Sequence, residues 1–288
     1  MQKSAKAIFP LANYFKLVGI PEALALKPSV ETLYFVVNKH ATNIPYQNIH
    51  FHYKERKTVG LCLQSVKEKL IDKAEGGMCF ETSELMYHAL NHLGFNVIRV
   101  PGYTLNNMEH NPLMPPIHNV LIAKLDGRQF LIDIGFGYSG MRYPMEFTFE
   151  KDEEVALTPY EKYKLVCNED HYILCMWIKE EWFKLYRFDR PIKVIDDIIT
   201  AENYKALFES PIDIAIRDKY IKIGKMTNEG RVGFHYEPRA KPFLAWRMDT
   251  KKEKVTKTEI HDYKTLQENI KDTLDIDLPD QDMLKLDD

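Results

Sequence analysis

The hydrophobic rhythm of the chain changes near residue 95. Before that point apolar residues recur at helical spacing, and after it they fall in short β-prone runs. The spacing predicts a helix over residues 11–18, stopped at Gly19-Ile20-Pro21. A second is predicted over 30–41, with Ser29 as its N-cap and Leu33, Val36 and Val37 on one face. A loop through Ile44-Pro45-Tyr46 leads to a third helix over 62–72. After the Gly76-Gly77 turn, a fourth carries the stripe Leu85, Ala89, Leu90 and Leu93 and ends at Gly94.

Beyond Asn96, residues 97–100, 119–125 and 130–134 predict strands, and Asp126-Gly127 between the last two is a hairpin signal. Further strands are predicted at 163–166, 172–178 and 182–188. A connecting arm at 191–214 holds a short helix at 202–208, followed by strands within 220–246 and a helix over 263–274. The tail, 275–288, is acidic and poor in aromatics, which predicts a frayed end. Helices followed by runs of strands indicate an α+β fold. The pattern divides into a helical bundle at 1–95, a β domain at 96–190, and an arm with a C-terminal α/β unit at 191–288.

Composition narrows the function. Lys+Arg 39 against Asp+Glu 42 gives a net charge of -3 over 288 residues, and no long basic block points to nucleic acid. Local basic patches still suffice to grip a phosphorylated cofactor. No run approaches the roughly 18 apolar residues that span a bilayer, and residues 1–10 lack the apolar core of a secretory signal. The expected compartment is the cytoplasm. The four cysteines form no C-x-x-C pair, so a zinc site or redox dithiol is not expected. Cys62, Cys167 and Cys175 read as small buried hydrophobes.

Cys79 is different, because it opens the predicted fourth helix directly after two glycines. There a thiol meets the positive end of the helix dipole and free backbone N–H groups, which favour the thiolate. The glycines permit a sharp turn and leave room for substrate beside the sulfur. A nucleophilic cysteine needs a base, and the base an orienting group. His118 immediately precedes the strand at 119–125, and Asp133 closes the next one. If Asp126-Gly127 joins those strands as a hairpin, the two side chains meet at one edge of the sheet, where the carboxylate would hold the imidazole through Nδ1–H. Each residue alone has an ordinary reading: a buried thiol, a satisfied polar side chain, a turn former. His88 and His92 stand four apart on a predicted helix, but no third metal ligand accompanies them.

Together these segments resemble the arylamine N-acetyltransferases. Glu75-Gly76-Gly77-Met78-Cys79 is similar to that family's Arg-Gly-Gly-x-Cys. His118-Asn119-Val120-Leu121-Ile122 and Asp133-Ile134-Gly135-Phe136-Gly137 match its histidine and aspartate segments, and Pro45-Tyr46-Gln47-Asn48 its Pro-Phe-Glu-Asn. Trp182-Phe183-Lys184-Leu185-Tyr186 and residues 203–211 match later landmarks. The likeness runs over about residues 10 to 215 and departs at Glu75 for arginine, Gln47 for glutamate and Ser83 for asparagine. A Gln47–Glu75 side-chain hydrogen bond in place of a buried ion pair would keep either group from being stranded.

The resemblance implies a cysteine-proteinase-like core with a barrel-like β domain and a C-terminal lid. It also implies ping-pong acetyl transfer, associated with xenobiotic metabolism, through a Cys79, His118 and Asp133 triad. Acetyl-CoA would be the co-substrate and an aromatic amine or hydrazine the acceptor, with no metal or tightly bound cofactor. Tyr46 and Phe136 would line the acceptor pocket, and Gly102, Tyr103, Thr104 and Gly137 would lie near the acyl donor. The same three-residue layout occurs in papain-like and transglutaminase-like enzymes, and a binding protein on the same scaffold is a further alternative. The sequence leaves the oligomeric state open.

Overall fold

The computed structural model describes residues 9–54, 60, 62–137, 140–195, 219–252 and 254–284. The predicted short helix at 202–208 and the landmark at 203–211 lie outside them. Helix α1 (Leu11–Val18) ends where Gly19 adopts a left-handed conformation at its C-cap, and buries Tyr14, Phe15 and Val18. Helix α2 (Val30–Asn43) is capped by Ser29, whose hydroxyl accepts from Thr32 N–H at 3.1 Å. The two-residue strand β1 (Tyr46–Gln47) follows. Helix α3 (Leu63–Val66) runs on into a π-helical turn, Lys67–Asp72, so the predicted third helix changes its winding halfway. Helix α4 (Cys79–His92) is buried on all sides from Phe80 to Met86 and on its inner face at Ala89 and Leu90. These elements share a core with residues of the first β strands.

The large sheet is antiparallel. It contains β2 (Asn96–Thr104), β3 (His118–Leu125), β4 (Arg128–Ile132), β5 (Met145–Glu146), β6 (Glu153–Thr158), β7 (Glu161–Cys167), β8 (His171–Ile178) and β9 (Glu181–Asp189). Their spatial order is β5-β4-β3-β2-β9-β8-β7-β6, which curls into a nearly closed barrel around Val120, Ile122, Leu131, Tyr163, Leu165, Leu174, Tyr186 and Phe188. The β3–β4 hairpin turns at Asp126-Gly127, where both residues have positive φ, the geometry that matches strand twist. A second sheet, of order β1-β10-β11-β12-β13, adds β10 (Ile221–Met226), β11 (Gly230–Glu237), β12 (Leu244–Lys251) and β13 (Lys254–Ile260). Helix α5 (Tyr263–Leu274) packs on its apolar face through Leu266, Ile270 and Leu274. The α+β expectation with a barrel-like sheet therefore holds.

Three expectations need correction. The tail is not frayed through its described part: Ile276, Leu278 and Leu284 are buried in the core of the second sheet, and Leu284 bridges to Tyr53. Three apolar anchors outweigh the acidic average of the segment. Cys62 is exposed, with its sulfur 3.2 Å from the Ser65 hydroxyl, because it precedes α3 instead of lying on its inner face. Strand β4 stops at Ile132, so Asp133 lies in the turn beyond the strand. Among the described residues, no helix is long and apolar enough to cross a membrane.

Candidate active site

Three separate elements deliver the predicted triad. Cys79 is the first residue of α4, His118 the first of β3, and Asp133 the first after β4. Helix and barrel are fastened at this point by Ser83, whose hydroxyl donates to the Asn119 carbonyl at 3.1 Å, and by the buried Arg99–Glu84 pair at 2.8 Å. Serine therefore docks α4 against the strand that carries His118, at the position where the family commonly has asparagine. The turn after β4 packs directly on the nucleophile. A Cβ on Gly135 would stand 2.7 Å from the Cys79 Cα and 2.8 Å from its carbonyl oxygen, so only glycine permits this approach.

Asp133 is almost fully buried, and its Oδ1 accepts from the N–H groups of Gly135 and Phe136, both at 3.1 Å. This leaves Oδ2 to face His118 Nε2 at 3.1 Å. The two atoms are close but off the N–H line, so charge attraction couples them more than a straight hydrogen bond does. The contact corrects the expected orientation. The carboxylate holds Nε2, which leaves Nδ1 as the ring nitrogen available to the thiol. Burial opposes a charge on His118, but the Asp133 carboxylate and the Cys79 sulfur outweigh it and push the imidazole pKa up to about 10. Cys79 is partly accessible, and its sulfur lies 3.8 Å from the Ile117 carbonyl.

Aromatic rings hold the imidazole in place. Phe136 meets it edge-on at 5.1 Å between centroids, and Tyr186 lies at 4.9 Å on another side. Tyr186 is fully buried, and burial together with the adjacent Asp133 carboxylate holds its phenol well above the usual range. Sequence reasoning placed Tyr186 only in a landmark segment. Its ring contact with His118 had no sequence signal beyond its position on an inward face of β9. Gly102 sits opposite His118 in the β2–β3 register, and a Cβ there would touch the imidazole at 3.4 Å. Thr104 pairs with Tyr186, whereas Tyr103 turns to the His110 ring at 5.0 Å and the Arg187 guanidinium at 5.9 Å. Gly137 has positive φ and open space above it. Tyr46 bridges to Gly77 and pairs with Gly224, which brings the second sheet to the nucleophile's turn.

The expected Gln47–Glu75 side-chain bond is absent. Gln47 Nε2 instead donates to the Glu75 backbone carbonyl at 3.2 Å, and its Oε1 accepts from Ile49 N–H at 2.8 Å. The Glu75 carboxylate is half exposed and reaches Lys73 at 3.9 Å. A cavity of about 560 Å³ lies behind the turn, lined by Gln47, Lys69, Glu75 and Glu81 among others.

A family model described as N-acetyltransferase matches residues 29–283. An arylamine N-acetyltransferase of Escherichia coli is 29% identical over 180 residues, 62% of this chain and 61% of that protein, so the match spans less than two thirds of that relative's length. Among solved structures, an arylamine N-acetyltransferase from Salmonella typhimurium has a TM-score of 0.79 at 21% identity, covering 96% of this chain and 94% of that one. Mycobacterium marinum arylamine N-acetyltransferase in complex with CoA has a TM-score of 0.78 at 19% identity, covering 95% and 96%. The two structural likenesses speak to the fold, and the family model extends over the nucleophile turn, the histidine strand and the aspartate turn. The chain belongs to the arylamine N-acetyltransferase family.

Proposed function

We propose that this protein moves an acetyl group from acetyl-CoA to an aromatic amine or hydrazine through an acetyl-Cys79 intermediate. The observation that carries the reading is the convergence of Cys79, His118 and Asp133, with the imidazole held between sulfur and carboxylate. His118 takes the thiol proton at Nδ1. The thiolate then attacks the thioester carbon, and the first-turn N–H groups of α4, which have no partner within the helix, face the developing oxyanion. The tetrahedral adduct collapses with cleavage of the bond to CoA sulfur, and the imidazolium returns its proton to the departing thiolate. An amine next attacks the acyl-enzyme, gives up a proton to His118, and leaves as the amide while Cys79 regains its proton. Asp133 stabilises the imidazolium throughout and keeps Nδ1 directed at the sulfur.

A CoA complex of a structural neighbour supports the choice of donor. Gly102, opposite His118 in the β2–β3 register, is assigned to the donor side together with Thr104 and Gly137. Tyr103 is assigned there with them, although its ring is engaged by His110 and Arg187. Tyr46 and Phe136 are assigned to the acceptor side, where an aromatic ring finds apolar neighbours. Intact mass measurement after incubation with acetyl-CoA tests the reading. A gain of one acetyl group, mapped to Cys79 and discharged by an aromatic amine, is the expected result. No gain, together with cleavage or crosslinking of peptides, would replace it with a thiol hydrolase or transglutaminase-like activity.

A further inference from the structure

We infer that Lys69 is a positioning residue for the nucleophile: its ammonium holds Glu81, and Glu81 holds the turn that aims Cys79. Lys69 Nζ lies 2.7 Å and 2.9 Å from the two carboxylate oxygens of Glu81. Glu81 Oε2 also accepts from the Met78 N–H at 2.8 Å, fixing the residue immediately before the sulfur. This is half of a capping box, because Met78 has no side-chain oxygen to return the bond to the third helical residue. Thr82 bonds the Met78 carbonyl, but the Met78 N–H is held by Glu81.

The surroundings are built around this contact. The Glu81 side chain is 1% exposed and Lys69 is 17% exposed. Burial pushes the Glu81 carboxyl up, and the ammonium pulls it back toward the charged form. A Cβ on Gly77 would stand 3.0 Å from Glu81 Cβ and 3.1 Å from Oε2, so the carboxylate rests against a bare Cα in the turn. The lysine reaches it from the π-helical stretch Lys67–Asp72. There Lys73 N–H bonds the Glu68 carbonyl five residues back, and Glu75 N–H bonds the Lys69 carbonyl. The widened turn carries Lys69 toward the inside while its neighbours Lys67 and Lys73 pair with Asp72 and Glu75 nearer solvent. In the Arg-Gly-Gly-x-Cys pattern that this segment resembles, a cation stands four residues before the nucleophile; here that position is Glu75, and the cation beside the turn comes from position 69 instead.

The inference rests on Cys79 being the reactive thiol, and its test does not depend on acetyl-CoA. Alkylation of Cys79 by iodoacetamide at neutral pH, followed peptide by peptide to separate it from exposed Cys62, is measured in four forms of the full chain. Lys69→Met strands a buried carboxylate, and the Cys79 rate is expected to fall roughly 10- to 100-fold, as small misplacements of reacting groups do. Lys69→Arg keeps the charge, and the cavity behind the turn has room for it, so the rate returns to within about threefold of wild type. The double variant Lys69→Met with Glu81→Gln needs no cation, because the amide oxygen still accepts from Met78. It is expected to recover most of the rate and also to fold should the single variant not do so. An unchanged Cys79 rate in the folded single variant, no advantage of arginine over methionine, or a double variant as slow as the single one would overturn the assignment. Failure of acetyl-CoA to load the wild-type enzyme, with this alkylation pattern intact, would count against the acetyl-transfer reading alone.

Discussion

One loop of this protein joins two buried charge clusters with opposite characters. At its start Asp133 faces His118, a pair whose positive member is an imidazole able to give up its proton. Further along, Arg142 joins Arg231 and Glu161. Both guanidiniums converge on Glu161 Oε1 at 2.8 Å and 2.7 Å, and they also donate to the carbonyls of Gly140, Thr227, Asn228 and Gly230. The cations there are guanidiniums, which stay charged. Tyr163 completes the cluster, accepting from Arg231 and donating to the Gly140 carbonyl. The two ends are linked through Met141 N–H, which bonds the Asp133 carbonyl at 2.5 Å. The difference separates two uses of buried charge. One cluster is built on fixed guanidinium charges and ties the barrel to the second sheet, and the other places its positive charge on an imidazole that can give up its proton.

The largest effect should come from breaking the mobile cluster without disturbing its scaffold. Asp133→Asn keeps an oxygen for the Gly135 and Phe136 N–H groups, but it turns an N–H toward Nε2. His118 must then carry its proton on Nδ1, against the thiol it is meant to deprotonate. Acylation of Cys79 in a single turnover, measured on the folded fraction, is expected to fall by roughly 10³- to 10⁴-fold, and stability should fall as well because the buried imidazolium loses its counter-charge. Retention of more than a tenth of the rate would remove Asp133 from its assigned role. Next in size is the static cluster. Glu161→Gln strands two buried guanidiniums, and denaturant melts should show a loss of about 3–5 kcal/mol. The folded fraction should acylate within about tenfold of wild type. A stability loss under about 1 kcal/mol would mean that the arginines are satisfied by carbonyls alone.

These contrasts were only partly visible in the sequence, for physical reasons. Helix α5 was legible because Asp262 caps it and Leu266, Ile270 and Leu274 keep helical period over its whole length. The β3–β4 hairpin was legible because Asp-Gly favours two consecutive positive φ values, whereas the β8–β9 turn takes the same conformation at Lys179-Glu180 with no such signal. Strand β13 carried no signal: six of its seven residues are exposed, so it has no apolar face to betray it, and its lysines suit an unpaired sheet edge. Strand β6 was missed in the same way, starting on Glu153-Glu154 at the far edge of the barrel. In the site, residue types and chain order foretold which three side chains meet. The imidazole nitrogen that each partner uses depends on where β4 stops, and the pattern overshot that end by two residues. Arg142, Glu161 and Arg231 lie far apart along the chain and look like ordinary surface charges until the two sheets pack.

A smaller effect reads the charge on His118 directly. Its folded pKa stands near 10 and its ordinary value is 6.5, so between those limits the native state holds a proton that the unfolded chain releases. Stability from this group is complete below 6.5 and is lost as pH climbs through the folded value, at up to about 1.4 kcal/mol per pH unit. The difference in unfolding free energy between wild type and His118→Asn should therefore shrink steadily from pH 7 to pH 10. A difference that stays flat across that range would mean that the buried imidazole is neutral.

The smallest effect is expected at Glu75, a charge that belongs to neither cluster. Its position next to the Gly76-Gly77 turn suggests an anion that works against a thiolate at Cys79. The geometry argues otherwise, because the carboxylate is half exposed and its described ion-pair partner is Lys73 at 3.9 Å. Water screens such a charge strongly, and the part of Glu75 that the turn uses is its carbonyl, held by Gln47. Glu75→Gln should accordingly change stability by less than about 0.5 kcal/mol and leave Cys79 alkylation within about twofold. Gln47→Leu removes the donor to that carbonyl and the acceptor of Ile49 N–H, and it should cost about 1–3 kcal/mol. If the order of the two were reversed, the side chain at 75 and not its backbone would be shaping the nucleophile's turn, and burial would no longer be what separates charges that matter to this site from those that do not.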